Sequence, residues 1–115
     1  NVMGLAAAEA AYRDAEPWRQ ALLDVLRGHR QMISDYVAHW PGVHFNPSQS
    51  TYLAWLDMRD AGLGDNPQQA LLEQAKVALS NGADFGQPGF VRLNFGTTAT
   101  QLEEALKRMD QVLRR

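Results

Sequence analysis

Thr51-Tyr52-Leu53-Ala54-Trp55-Leu56-Asp57-Met58 is the segment on which the fold turns. Tyr52, Ala54, Leu56 and Met58 alternate with Thr51, Leu53, Trp55 and Asp57, the two-residue period of an extended strand. Both sets are largely apolar, which predicts a central strand covered on both faces. Further along, residues 90–95 (FVRLNF) alternate as well, but their faces are unlike. Val91, Leu93 and Phe95 form an apolar face, and Phe90, Arg92 and Asn94 form the other. The shorter apolar runs at 43–45 (VHF) and 77–79 (VAL) predict two more strands.

Helical patterns surround these strands. Residues 2–12 are rich in alanine and predict a helix or the end of one. After a polar break at 13–16, Pro17 suits a first helical position, where its missing N–H costs nothing. Apolar residues and His29 then recur at Trp18, Leu22, Val25, Leu26, His29, Met32, Ile33, Tyr36, Val37 and Trp40, until Pro41-Gly42 stops the run. Such a helix is longer than a small domain needs, so it is expected to pack across two bodies or along a whole sheet. Asn66-Pro67-Gln68-Gln69 predicts a third helix start, with Asn66 as cap. Thr100 and Glu103 predict the capping box of a last helix, with a buried stripe of Leu102, Leu106, Met109 and Val112 or Leu113. The order is α-α-β-β-α-β-β-α. It implies an α+β fold: a two-layer sandwich with a small mixed sheet covered by helices.

Composition bounds the chemistry. One domain's worth of chain, 115 residues, carries a net charge of −2, which does not suggest a nucleic-acid footprint. No apolar run approaches the length needed to span a bilayer. The absence of cysteine removes disulfides, thiol nucleophiles and Cys-based metal sites, and fits a reducing, cytoplasmic setting. His29, His39 and His44 share no ligand face, and no metal site is expected; His29, on the apolar stripe, reads as a core histidine. No serine has a nucleophile-elbow context. Lys76 and Lys107 are the two lysines, and neither sits in a turn that would desolvate it as a Schiff-base lysine requires. No catalytic residue is therefore assigned.

Arg92 stands out. A guanidinium is a fixed planar fork that binds a carboxylate through two parallel hydrogen bonds, and a strand would hold it rigidly. The alternative is an arginine on a solvated face or paired with a structural acid. The loop at 80–89, with Gly82, Gly86, Pro88 and Gly89, must turn tightly or admit another backbone. It matches neither the dinucleotide nor the Walker A phosphate motif, and reads as a connection, a lid or a ligand-contacting turn.

Residues 49–59 (QSTYLAWLDMR) resemble the C-terminal region of the class I/II aminotransferases, fold-type-I enzymes that use pyridoxal phosphate (PLP). Within that family the chain most resembles the MalY/PatB-type cystathionine β-lyases. Three further blocks agree: residues 1–18 (NVMGLAAAEAAYRDAEPW), 74–82 (QAKVALSNG) and 90–97 (FVRLNFGT). The chain departs from the family at Asn81-Gly82, where proline commonly precedes the glycine.

The resemblance implies that residues 1–16 are the connecting helix from a large domain and that 17–115 are the small C-terminal domain. It implies that Arg92, supported by Asn94, binds the α-carboxylate of an amino-acid substrate. PLP and its lysine would belong to a large domain preceding Asn1, so that these residues alone would be inert. The parent would be a homodimer, with the large domain as partner and no nucleic-acid or membrane partner. Its reaction would be C–S elimination or transamination, which Arg92 serves equally, and the lyase is preferred. Separated from its large domain, the segment 2–18 is expected to be poorly ordered or buried against a foreign surface. The competing reading is a stand-alone, non-catalytic α+β module that binds a ligand or a partner along its long amphipathic helix.

Overall fold

The structure is a computed structural model that describes residues 1–114. The elements run α1 (Val2–Asp14), α2 (Glu16–Val37), β1 (His44–Phe45), β2 (Leu53–Asp57), α3 (Pro67–Gln74), β3 (Ser80–Asn81), a 3-10 turn (Gly82–Phe85), β4 (Phe90–Asn94) and α4 (Ala99–Leu113). The expected α+β order is the order found.

The strands form one sheet in the order β1-β2-β4-β3. Every described pairing is antiparallel, with Trp55 opposite Arg92 across β2 and β4, and Ser80 opposite Arg92 across β3 and β4. The expectation of a mixed sheet is corrected here. β2 and β3, joined through α3, both run against β4 and so point the same way, but β4 lies between them. This is a split βαβ unit. The local pattern reveals two co-directional strands and gives no hint that a third separates them.

Two further corrections concern where the ladder begins and what covers it. Residues 77–79 are not a strand; Val77 is buried in the core, and its N–H reaches back to the Leu71 carbonyl at 3.4 Å to close α3. Pairing starts at Ser80, because a two-residue polar edge strand has no apolar period to announce it. β2 is interior to the sheet, as expected, but helices cover it on one face only. Ala54, Leu56, Val91 and Leu93 are buried in one core with Ile33 and Val37 of α2, Leu71 of α3, and Leu102, Leu106 and Met109 of α4. On the opposite face Leu53, Trp55, Asp57, Phe90 and Arg92 are half-buried and Asn94 is exposed.

Capping agrees with the sequence at one helix and differs at another. The Asn66 side chain accepts from the Gln69 N–H at 3.2 Å and starts α3 as expected. The cap of α4 is Thr98 rather than Thr100, its hydroxyl accepting from Gln101 N–H at 3.3 Å. Thr98 and Gln101 have the same capping-box spacing, shifted two residues upstream. The apolar stripe of α4 is buried as read, and Trp40 ties α2's end to α4 by donating its indole N–H to Asp110 at 2.8 Å.

The first two helices project from this body. The principal extents are 49 × 27 × 23 Å. The radius of gyration is 16.6 Å, against about 13 Å for a compact chain of this length. α2 buries His29, Ile33 and Val37, whereas Trp18, Leu22 and Val25 near its start are exposed. α1 buries nothing: Val2, Met3, Leu5 and Tyr12 all face solvent. The segment 2–14 is a regular helix. Local bonds account for that: the Asn1 side chain accepts from Gly4 N–H at 3.0 Å, and Arg13 bonds Asp14 at 3.0 Å and Glu9 at 3.4 Å.

Candidate functional site

Arg92 sits in the middle of β4, flanked by Trp55 on β2 and Ser80 on β3. Its position follows from strand alternation: burying Val91 and Leu93 sends Arg92 to the uncovered face. There its guanidinium carbon lies 4.3 Å from the centroid of the Phe85 ring. Its Nη2 donates to the Ser80 hydroxyl over a long 3.4 Å. Trp55 extends the aromatic wall, stacked on Phe90 at 5.5 Å and edge-on to Phe85 at 6.1 Å.

A second arginine decides the electrostatics. Arg59 grips Asp57, with Nη2 at 2.7 Å and Nε at 2.9 Å, while its guanidinium lies 5.1 Å from the Phe90 centroid. The strand carboxylate on this face is therefore already claimed. Among the described residues Arg92 makes no ion pair, and one weak contact to Ser80 uses a single one of its five N–H donors. It lines an open groove of about 590 Å³ together with Ser80, Asn94, Gln101 and the α4 pair Glu104–Arg108. A half-buried guanidinium backed by aromatic rings and free of an internal acid is suited to an external carboxylate. Asn94 is on the same face, but its side-chain oxygen accepts from Gly96 N–H at 2.9 Å and shapes the exit of β4.

The Arg59–Asp57 pair makes a testable statement about pH. The side-chain hydrogen bonds from Arg59 hold the Asp57 carboxyl below the usual aspartate range. A depressed folded-state pKa contributes stability that is complete above the unfolded value, about pH 4, and is lost as pH falls through the folded value. Asp57→Asn is expected to flatten the acid limb of a stability-versus-pH curve. An identical acid limb in the variant would mean that the pair contributes nothing.

The glycine loop has a structural task that sequence alone left open. A Cβ on Gly82 would lie 2.5 Å from both the Gln87 and Phe90 carbonyl oxygens, so only glycine permits this backbone approach. Asn81 accepts from Ala83 N–H at 3.1 Å and caps the 3-10 turn. The turn carries Phe85 onto Arg92. Neither Ser80 nor Phe85 was expected at the site from periodicity; the one signal was the density of turn formers around them.

Other chemistry-bearing residues are elsewhere. His29 is buried, donating Nδ1–H to the Phe95 carbonyl at 3.0 Å, and its Nε2 has no partner. The core reading holds for this histidine, though only one of its nitrogens is satisfied. His39, in the turn after α2, bonds the Asp35 carbonyl in that helix's last turn. No cluster of metal-ligating residues occurs among the described residues. No described helix is long and apolar enough to cross a membrane.

The lysines do not fit a PLP anchor. Lys107 is ion-paired to Glu103 at 2.9 Å, which raises its pKa, the direction opposite to that of a Schiff-base lysine. Lys76 is exposed in the turn that ends α3.

Comparison with known proteins places this architecture. The aminotransferase class I and II family matches residues 2–109. Escherichia coli (strain K12) MalY is 40% identical over 99% of this chain, which covers 30% of MalY. The cystathionine β-lyase of Corynebacterium glutamicum is 35% identical over 98% of this chain and 31% of that protein. A solved structure from Corynebacterium diphtheriae, assigned as a PLP-dependent β-cystathionase, superposes with a TM-score of 0.89 at 37% identity, covering 97% of this chain and 30% of that one. The chain thus spans about a third of the length of these relatives. A family match over residues 2–109 and relatives of this similarity show that the chain belongs to the class I and II aminotransferase family.

Proposed function

We propose that this chain is the substrate-capping small domain of a PLP-dependent C–S lyase acting on amino acids. Residues 17–115 form the domain, and residues 1–16 form the helix that connects it to a large domain. The observation that carries the reading is the Arg92 guanidinium, stacked on Phe85 and in no ion pair among the described residues, while the neighbouring acid is bonded to Arg59. The exposed apolar residues of α1 and early α2 supply a face suited to the large domain. PLP, held by polypeptide outside these residues, carries the bond-breaking chemistry. This chain's part is to bind and orient. Arg92 takes the substrate carboxylate through its fork, with the amide of Asn94 beside it, and the aromatic wall keeps water from one side of the pair. The naming of the C. glutamicum relative favours elimination over transamination.

The test uses the full-length protein loaded with PLP and given cystathionine. Free thiol and a 2-oxo acid released in equal amounts, with ammonia, is the expected result. Transfer of the amino group to an added 2-oxo acid without thiol release would make it an aminotransferase. Neither reaction, with PLP bound, would overturn the reading in favour of a binding module.

A further inference from the structure

Arg92 needs more than a strand to present its fork in one plane, because three rotatable bonds separate the guanidinium from the sheet's rigid Cβ. The structure offers one surface that fixes this plane. Phe85 is half-exposed, yet its ring sits 4.3 Å from the guanidinium carbon, within cation–π range. The ring is itself tightly mounted. Gly82 is pressed against two carbonyl oxygens, Gln87 N–H donates to the Gly82 carbonyl at 2.9 Å, and Gly86 N–H donates to the Ala83 carbonyl at 3.1 Å. Trp55 touches the ring edge from the neighbouring strand. The turn fixes the backbone that carries Phe85, and Trp55 and Arg92 bound its ring.

We propose that Phe85 is a positioning residue for substrate recognition: it stacks on Arg92 and sets the plane in which the fork receives a carboxylate, and the turn at 82–86 exists to hold it there. The inference rests on the reading of Arg92 as the carboxylate clamp. It assigns a purpose to the glycine loop other than that of a lid. Phe85 touches neither the substrate nor the reacting atoms; it acts through the guanidinium.

The experiment is steady-state kinetics on the full-length holoenzyme. Phe85→Ala is expected to raise KM for the amino-acid substrate about three- to thirtyfold, the range a cation–π contact spans between exposed and desolvated settings, with kcat nearly unchanged. Phe85→Tyr keeps the ring face and is expected to restore KM. Phe85→Leu keeps apolar bulk without a π face and is expected to behave like alanine. Inhibition by a substrate-like amine lacking the carboxylate should be the same in all three variants. Adding Phe85→Ala to Arg92→Ala should cost nothing further, because the ring has no guanidinium left to orient. An unchanged KM in Phe85→Ala, full activity in Phe85→Leu, or losses that add fully in the double variant would each overturn the proposal. If Arg92→Ala itself leaves KM unchanged, the clamp reading fails and this inference with it. If Arg92→Ala raises KM and Phe85→Ala does not, only this inference fails.

Discussion

Arg92→Ala in the full-length enzyme is expected to raise KM for amino-acid substrates about 30- to 150-fold while leaving kcat and PLP binding nearly intact. The magnitude follows from removing one partner of a hydrogen-bonded charge pair, about 2–5 kcal/mol. The lower part of that range applies because Arg92 is half-buried rather than fully enclosed. The partition between constants follows from chemistry. The carboxylate is not altered during bond breaking, so its contact with Arg92 is as strong in the ground state as in the transition state. Removing such uniform binding changes KM and spares kcat. Arg92→Lys should recover only part of the loss, since an ammonium lacks the planar fork. Initial-rate kinetics over a wide substrate range decide the matter, and an unaltered kcat/KM in the alanine variant would remove Arg92 from the site.

Leu106→Ala should produce the largest loss of stability. Leu106 is fully buried at the centre of the α4 stripe, in the core beneath β2 and β4. Truncating such a leucine costs about 2–5 kcal/mol through lost burial and the cavity left behind. That is a large share of the roughly 5–15 kcal/mol that holds a domain together. The melting temperature of the 115-residue chain is expected to fall by about 10–20 °C. Val25→Ala is the matched control: it lies on the apolar stripe of α2 but is half-exposed, and its effect should be within about 0.5 kcal/mol. Equal losses in the two variants, by thermal or urea denaturation, would mean that the core is drawn in the wrong place.

Particular residues explain why some of this was legible in sequence and some was not. The α4 stripe, the Asn66 cap and the alternation around Leu56 and Val91 are local signals, written at the period of the element they form. Arg92 was visible because one charge interrupts an apolar strand. The coverage of β2 was misread because Leu53 and Trp55 are apolar, and apolar residues on both faces ordinarily mean two covering layers. Here Trp55 instead builds the wall beside Arg92 with Phe85 and Phe90. The mixed sheet and the strand at 77–79 failed for another reason. Strand order and a two-residue edge are set by long-range pairing, which leaves no periodic trace. Phe85 was hidden in the same way: it is a loop residue until the chain turns back and lays it on Arg92 of β4.

Arg92 and its neighbours Val91 and Leu93 share one ladder, and side chains on a ladder swap sides with every step. Sliding β4 by a single position would drive the charge into the hydrocarbon interior and turn both aliphatic residues outward. The penalty for burying a lone guanidinium thus guards the recognition group's aspect. Insertions and deletions that misalign this strand would be purged as folding failures before any loss of catalysis could be felt.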